Sequence, residues 1–229
     1  MKDLFSQIKI TVHSGLYLKD PDSSKLGNDI IRHSVELIHE IGFEKFSFKK
    51  LGERTGSPES TIYRYFENKH KLLLYLTCWY WGWMEYRLVF STVNIPEPKA
   101  RLIKAIEIVT ENITDTSGFT YINEVLLDRI VVAEAAKTYL TKEVDEENRE
   151  GYFAGYKRLV NRMSQMVLDL NPGFEFPHML ISSVIEGAHL QKFFSDHLPS
   201  VTDVKNDPQM ITRFYTDMVF CMIQKTSVE

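Results

Sequence analysis

The chain has 229 residues, 44% hydrophobic, 25% charged and 12% aromatic, with a formal net charge of -4. That apolar share excludes disordered, collagen-like and fibrous classes, and the length suits one large domain or a small domain joined to a larger one. Two cysteines, Cys78 and Cys221, are too few for a disulfide scaffold and fit a reduced compartment. The acidic total speaks against a nucleic-acid partner, but the field that a duplex meets is local, so charge has to be read region by region.

In chain order, residues 1–27 form an extension ending in the turn-rich Lys19-Asp20-Pro21-Asp22-Ser23-Ser24. Phe5, Ile8, Ile10 and Val12 partly alternate with polar residues, but a lone strand has nothing to pair with, and the segment is read as an arm without assigned structure. Its start carries no apolar stretch of signal-peptide type. Asn28 or Asp29 caps a helix to about Ile41, with Ile30, Ile31, Val35, Leu37, Ile38 and Ile41 at helical spacing, and Gly42 stops it. Ser47 caps a second, short helix through Arg54, with Phe48 and Leu51 inward. After the break at Gly56, Ser57 and Pro58 read as cap and first position of a third helix running to about Phe66. Asn68 caps a long fourth helix to about Ser91.

That fourth helix holds the most apolar run, Leu72 to Met84. Its thirteen residues fall short of the roughly 20 that a membrane span needs, so it reads as a buried helix. With neither span nor export signal, a cytoplasmic protein without membrane association is expected. Beyond Pro96 and Pro98, Leu102, Ile103, Ile106, Val109 and Ile113 mark another helix. Phe119–Leu140 and Glu143–Leu170 mark two further stretches, either of which can divide. Helices from about His178 to His197 and from Gln209 to about Lys225 follow proline breaks. No paired strands are evident. The expected fold is all-α, with an extension (1–27), a three-helix head (28–72) and a helical body (73–229).

Two short helices joined by a turn containing Gly56 are what a helix-turn-helix requires, and Gly52 places a very small residue where the pair must approach. An ordinary helical hairpin fits the spacing equally well. The residue types favour the first reading: Ser57-Pro58-Glu59-Ser60-Thr61-Ile62-Tyr63-Arg64-Tyr65-Phe66-Glu67-Asn68-Lys69 gathers hydroxyls and cations, the groups that commonly contact phosphate. Ile41-Gly42-Phe43, Ser47-Phe48-Lys49-Lys50-Leu51-Gly52, Gly56 and Thr61-Ile62-Tyr63-Arg64-Tyr65-Phe66, followed by Asn68-Lys69-His70-Lys71-Leu72, resemble the DNA-binding domain of the tetracycline-repressor (TetR) family of bacterial regulators. The resemblance covers about residues 28–72; the rest matches only in being helical and of suitable length.

The resemblance implies that Ser47 and Lys49 touch phosphate, that Glu59, Ser60 and Arg64 face base edges in the major groove, and that Thr61, Tyr63 and Tyr65 meet the DNA backbone. Lys69 would clamp a phosphate. Ser57 stands where the family usually has a hydrophobic residue, Pro58 where it has a serine-like cap, and Glu59 where lysine or a neutral residue is common. An acid there repels phosphate unless it accepts from a cytosine amino group. From Lys25 to Lys71 nine basic residues face seven acidic ones, so that stretch is +2 and the remainder of the chain -6.

A single reading helix covers few base pairs, so a homodimer is expected. On the last helix, Met210, Phe214, Met218 and Met222 form one apolar stripe and Ile211, Tyr215, Val219 and Ile223 another. The helix before it offers Leu180, Val184, Gly187 and Ala188. The resemblance implies that these two helices from each subunit form a four-helix bundle; burial in their own subunit is the alternative. Trp79, Trp83, Tyr86, Tyr121, Tyr156 and Met163 are candidates to line an apolar effector pocket, although such residues more often fill core. Family resemblance further implies that a small-molecule effector shifts the fourth helix and releases a double-stranded DNA operator. Glu186 and His189 lack a third ligand, and no nucleophile elbow, phosphate loop or zinc spacing is present, so neither metal, cofactor nor enzymatic activity is expected. The rival reading is a helical small-molecule-binding protein that has lost operator binding.

Overall fold

The computed structural model describes residues 10–114, 121–134, 136–205, 207 and 209–224; Phe5, Ile8, Phe119, Pro208 and Lys225 lie outside them. Among the described residues there is no strand, as expected for an all-α chain. The α-helices are α1 (Lys25–Lys45), α2 (Phe48–Thr55), α3 (Glu59–Ile62), α4 (Lys69–Thr92), α5 (Pro98–Thr110), α6 (Glu124–Glu134), α7 (Ala136–Tyr139), α8 (Val144–Arg149), α9 (Ala154–Leu170), α10 (Pro177–His197) and α11 (Met210–Gln224). They form two compact units, Met1–Gly82 with Ile113–Ala154, and Trp83–Asn112 with Gly155–Glu229.

In the first unit, α1 begins upstream of Asn28 and Asp29, because the Ser24 hydroxyl accepts the Gly27 N–H at 3.1 Å. Gly27 itself must be small: a Cβ there would lie 2.1 Å from the Pro21 carbonyl oxygen. Gly42, with φ of 76°, kinks α1 where the sequence suggested its end, and one more turn follows. The kink frees the Phe43 N–H, which the Glu134 carboxylate accepts at 3.1 Å. α1 packs on α2 and α6, burying Ile30, Ile31, Val35 and Ile38.

The described part of the extension begins at Ile10. Ile10, Val12 and Leu16 are buried, and two 3-10 turns, Ser14–Leu16 and Pro21–Ser23, carry the chain into α1. Gly82 accommodates this arm, since a Cβ would come within 2.8 Å of Ile10 Cγ2. Tyr152 binds it too, its hydroxyl donating to the Gly15 carbonyl at 3.2 Å while its ring receives the Lys71 ammonium at 4.4 Å. Phe119–Leu140, as far as it is described, is helical over Glu124–Glu134 and Ala136–Tyr139. Glu143–Leu170 is divided at Gly151, whose φ is 87°.

In the second unit, α5 packs on α10 and α11, and α10 packs on α11. Leu102, Ile106, Val109, Ile181, Val184, Ile185 and Val219 form its centre. The Glu85 carboxylate, nearly buried, accepts from Arg158 Nε and Arg162 Nε at 2.8 Å each, which ties the end of α4 to α9. Thr110 and Thr212 join hydroxyls at 2.8 Å.

Candidate nucleic-acid interface

α2 and α3 are held by backbone. The Ser57 N–H donates to the Gly52 carbonyl at 2.9 Å, and a Cβ on Gly52 would lie 2.6 Å from the Ser57 carbonyl oxygen. Gly56, in the left-handed region with φ of 65°, closes α2. Because Ser57 belongs to this turn, it does not cap α3. Pro58 occupies the cap position without a side-chain bond, and α3 is a single turn that ends at Ile62, not Phe66. Leu51, Ile62 and Phe66 are fully buried behind it.

The outer side of this pair carries most of the expected contacts. Lys49, Glu59, Ser60 and Arg64 are exposed, and no side-chain hydrogen bond or ion pair engages any of the four among the described residues. Thr61 is half-buried beside them. Tyr63 is 47% exposed, and its ring meets Phe48 edge to face at 5.0 Å, so packing fixes the ring and leaves the hydroxyl without a partner among the described residues. Ser47 caps α2, its hydroxyl accepting the Lys50 N–H at 3.4 Å. Elsewhere on the head, three acids are matched by bases: Arg54 reaches Glu40 through two 2.6 Å contacts, Arg32 reaches Asp29 at 2.6 Å, and Lys137 reaches Glu44 at 3.0 Å. The Glu40 and Glu44 carboxyls are held below the usual carboxylate range by these hydrogen-bonding cations. Lys49 and Arg64 thus remain as uncommitted cations on the reading edge.

Two expected contacts are placed differently. Tyr65, assigned to the DNA backbone by resemblance, is 2% exposed, and its hydroxyl is paired with Ser24 Oγ at 2.8 Å. Its carbonyl takes the Leu18 N–H at 2.8 Å, and Lys19 lies over its ring at 5.0 Å. Tyr65 therefore braces the turn after α3 against the arm, a role hidden from sequence because its partners come from the unassigned extension. Lys69, the expected phosphate clamp, directs its ammonium to the carbonyls of Phe43, Glu44 and Phe46 at 3.1, 3.3 and 3.3 Å and lies over the Phe43 ring at 4.7 Å. Those carbonyls lie at the α1–α2 junction, which Lys69 locks.

The candidate effector residues fall in both units. In the first, Trp79 is fully buried, and Tyr121 donates to Asp22 at 2.5 Å; burial chiefly raises the Tyr121 phenol above its ordinary range, and Trp79 hydrogen-bonds to it. In the second, Trp83 and Met163 are buried core, Tyr86 is half-buried, and Tyr156 donates to Glu186 at 2.7 Å. Burial raises both groups of that pair. No group of His, Cys, Asp and Glu suited to a metal ion, and no helix long and apolar enough to cross a membrane, occurs among the described residues.

Of the two apolar stripes on α11, Ile211, Tyr215, Val219 and Ile223 are buried in their own chain, whereas Phe214 and Met222 are exposed and Met210 and Met218 half-buried. On α10, Leu180, Val184 and Ala188 are likewise buried within the chain, and Gly187 makes room for Tyr215 of the same chain. The outer face of α10 instead carries exposed Phe176, Met179 and Leu190.

Residues 30–76 match the family model of bacterial regulatory proteins, tetR family. No curated protein sequence matches the chain significantly. Among solved structures, the fold is similar to that of the fatty acid degradation regulator FadR from Bacillus halodurans, at 14% identity and a TM-score of 0.54 over 86% of this chain and 98% of that one. It is also similar to a candidate TetR-family transcriptional regulator from Mesorhizobium loti, at 14% identity and a TM-score of 0.53 over 90% and 98% of the two chains. At such identity the likeness is one of fold. Residues 30–76 are a TetR-family N-terminal domain, set in an all-helical chain that shares its fold with TetR-family regulators.

Proposed function

We propose that this chain is a homodimeric, sequence-specific DNA-binding transcriptional regulator, acting as a repressor that a small-molecule effector releases from a palindromic operator. The observation that carries the reading is the outer side of α2–α3, where Lys49, Ser60, Tyr63 and Arg64 stand exposed on a backbone-locked turn. Hydroxyls and cations position such a helix on phosphates, and Arg64 has the donor fork that reads guanine. Ser47 and Thr61 add hydroxyls at its margins. The exposed apolar residues of α10 and α11 support pairing through the last two helices, since such a surface is costly to leave in water.

Selection of bound sequences from a random duplex pool tests this. Enrichment of a two-fold symmetric site, with affinity falling steeply as salt rises and lost in the Tyr63→Ala/Arg64→Ala double variant, is the expected result. A pool that shows no enrichment at any salt would sink it. It would favour the reading to which exposed Glu59 lends support, a helical small-molecule binder without an operator.

A further inference from the structure

The buried aromatic residues do not form the described opening in the second unit. That opening is a groove of about 470 Å³, walled by the last turns of α4 (Leu88, Val89, Thr92) and Val93 just after it, by Arg101 of α5 and by Asn161, Arg162, Gln165, Met166 and Asp169 of α9. Its volume lies within the ordinary range for a small-molecule site. Its lining is amphipathic: Leu88, Val89, Val93 and Met166 supply an apolar wall, and two guanidiniums stand against one carboxylate.

The two arginines are held differently. Arg162 is anchored through Nε to Glu85 at 2.8 Å. The Arg101 guanidinium makes one loose ion pair, with Asp169 at 3.6 Å, and its buried Nε has no hydrogen-bond partner. Buried donors are ordinarily matched, and guanidinium matches a planar anion with two parallel bonds. Among the described residues, the Arg101 guanidinium thus keeps donor capacity that no acceptor fills, beside the exposed side chains of Val89 and Val93. Val93 is 68% exposed there and Val89 39%.

We propose that this groove seats a small amphipathic anion, its carboxylate-like head on Arg101 and its apolar tail along Val89, Val93 and Met166. The inference deepens the effector part of the proposed function and rests on it for its regulatory meaning, but binding itself can be read without DNA. One wall is α4, so an occupant touches the helix that begins directly after the reading head. Asp169 opposes an anion and competes for Arg101.

The test is calorimetric titration of the full chain with octanoate, and with octan-1-ol and octylammonium as chain-matched probes. Saturable octanoate binding at least tenfold tighter than either probe is expected. Arg101→Met, which keeps the stem, should weaken octanoate at least tenfold, and Asp169→Asn should tighten it, a gain that general unfolding cannot imitate. Equal binding of octanol, no saturable heat, or an unchanged affinity in Arg101→Met would overturn the proposal. Because no DNA is present, these failures leave the reading of the head standing, and failed DNA selection leaves this result standing.

Discussion

Replacing Lys69 by Met separates two roles that the same side chain can have. In the structure its ammonium donates to three carbonyls at 3.1–3.3 Å at the α1–α2 junction and covers the Phe43 ring. Each bond from a charged donor contributes about 1.5–3 kcal/mol when buried, but Lys69 is half-exposed, and solvent screening brings the whole set down to about 2 kcal/mol. For a chain of this size that is a fall of roughly 4–8 °C in thermal midpoint. Methionine preserves the stem and its contact with Phe43, so the loss reports on the ammonium. If Lys69 acts as this lock, Lys69→Met lowers the midpoint and leaves the slope of log affinity against log salt unaltered. If it instead neutralises a phosphate, stability is unchanged and the slope becomes shallower by about one. The second pattern, measured by thermal unfolding and duplex titration on the same variant, would refute the argument from geometry.

Two more substitutions probe close approaches. Gly52→Ala should destabilise by about 1–2 kcal/mol and weaken DNA binding, because the clash with the Ser57 carbonyl at 2.6 Å exceeds the helix propensity that alanine adds; a raised thermal midpoint would show that propensity wins. Gly187→Ala would place a Cβ 2.1 Å from the Tyr215 hydroxyl and should cost about 1–3 kcal/mol. Tyr215→Phe in that background should recover part of the loss in chemical unfolding, and no recovery would mean that the hydroxyl is not the obstacle.

What could be read from sequence divides along physical lines. The turn at Gly56, the Ser47 and Asn68 caps and the buried run of α4 depend on neighbours within four residues, and each is present as expected. The start of α1 is different: Asn28 and Asp29 are good caps beside the first apolar residues, but Ser24 wins, with Gly27 packed against Pro21. α3 looks longer in sequence because Ile62 and Phe66 keep helical spacing, whereas after Thr61 the backbone tightens into i to i+3 bonds, Arg64 N–H to the Thr61 carbonyl at 3.2 Å and Tyr65 N–H to that of Ile62 at 2.9 Å. The arm is illegible because Ile10 is matched to Gly82 and Gly15 to Tyr152, contacts that no local pattern encodes. Aromatic residues at helical spacing read alike whether they fill core or line a cavity. The groove residues Arg101, Asn161, Gln165 and Asp169 look like an ordinary wet surface until their partners are seen.

The charge question also ends at particular residues. Residues 25–71 carry only +2, and ion pairs engage Asp29, Glu40 and Glu44, so the outer side of α2–α3 offers a duplex Lys49 and Arg64 from each subunit. Two subunits would then neutralise about four phosphates, giving a salt slope near -4, modest for a specific binder. Glu59 subtracts from that attraction on every sequence and adds to it only where a cytosine amino group can donate to its carboxylate. Affinity for random DNA should therefore rise in Glu59→Gln, while preference for the selected site falls by about 1 kcal/mol, roughly fivefold, per half-site that carried the cytosine. Unchanged discrimination in that variant would mean that Glu59 faces no base, and that the sequence preference of this head is set by Arg64, Ser60 and the shape of the duplex alone.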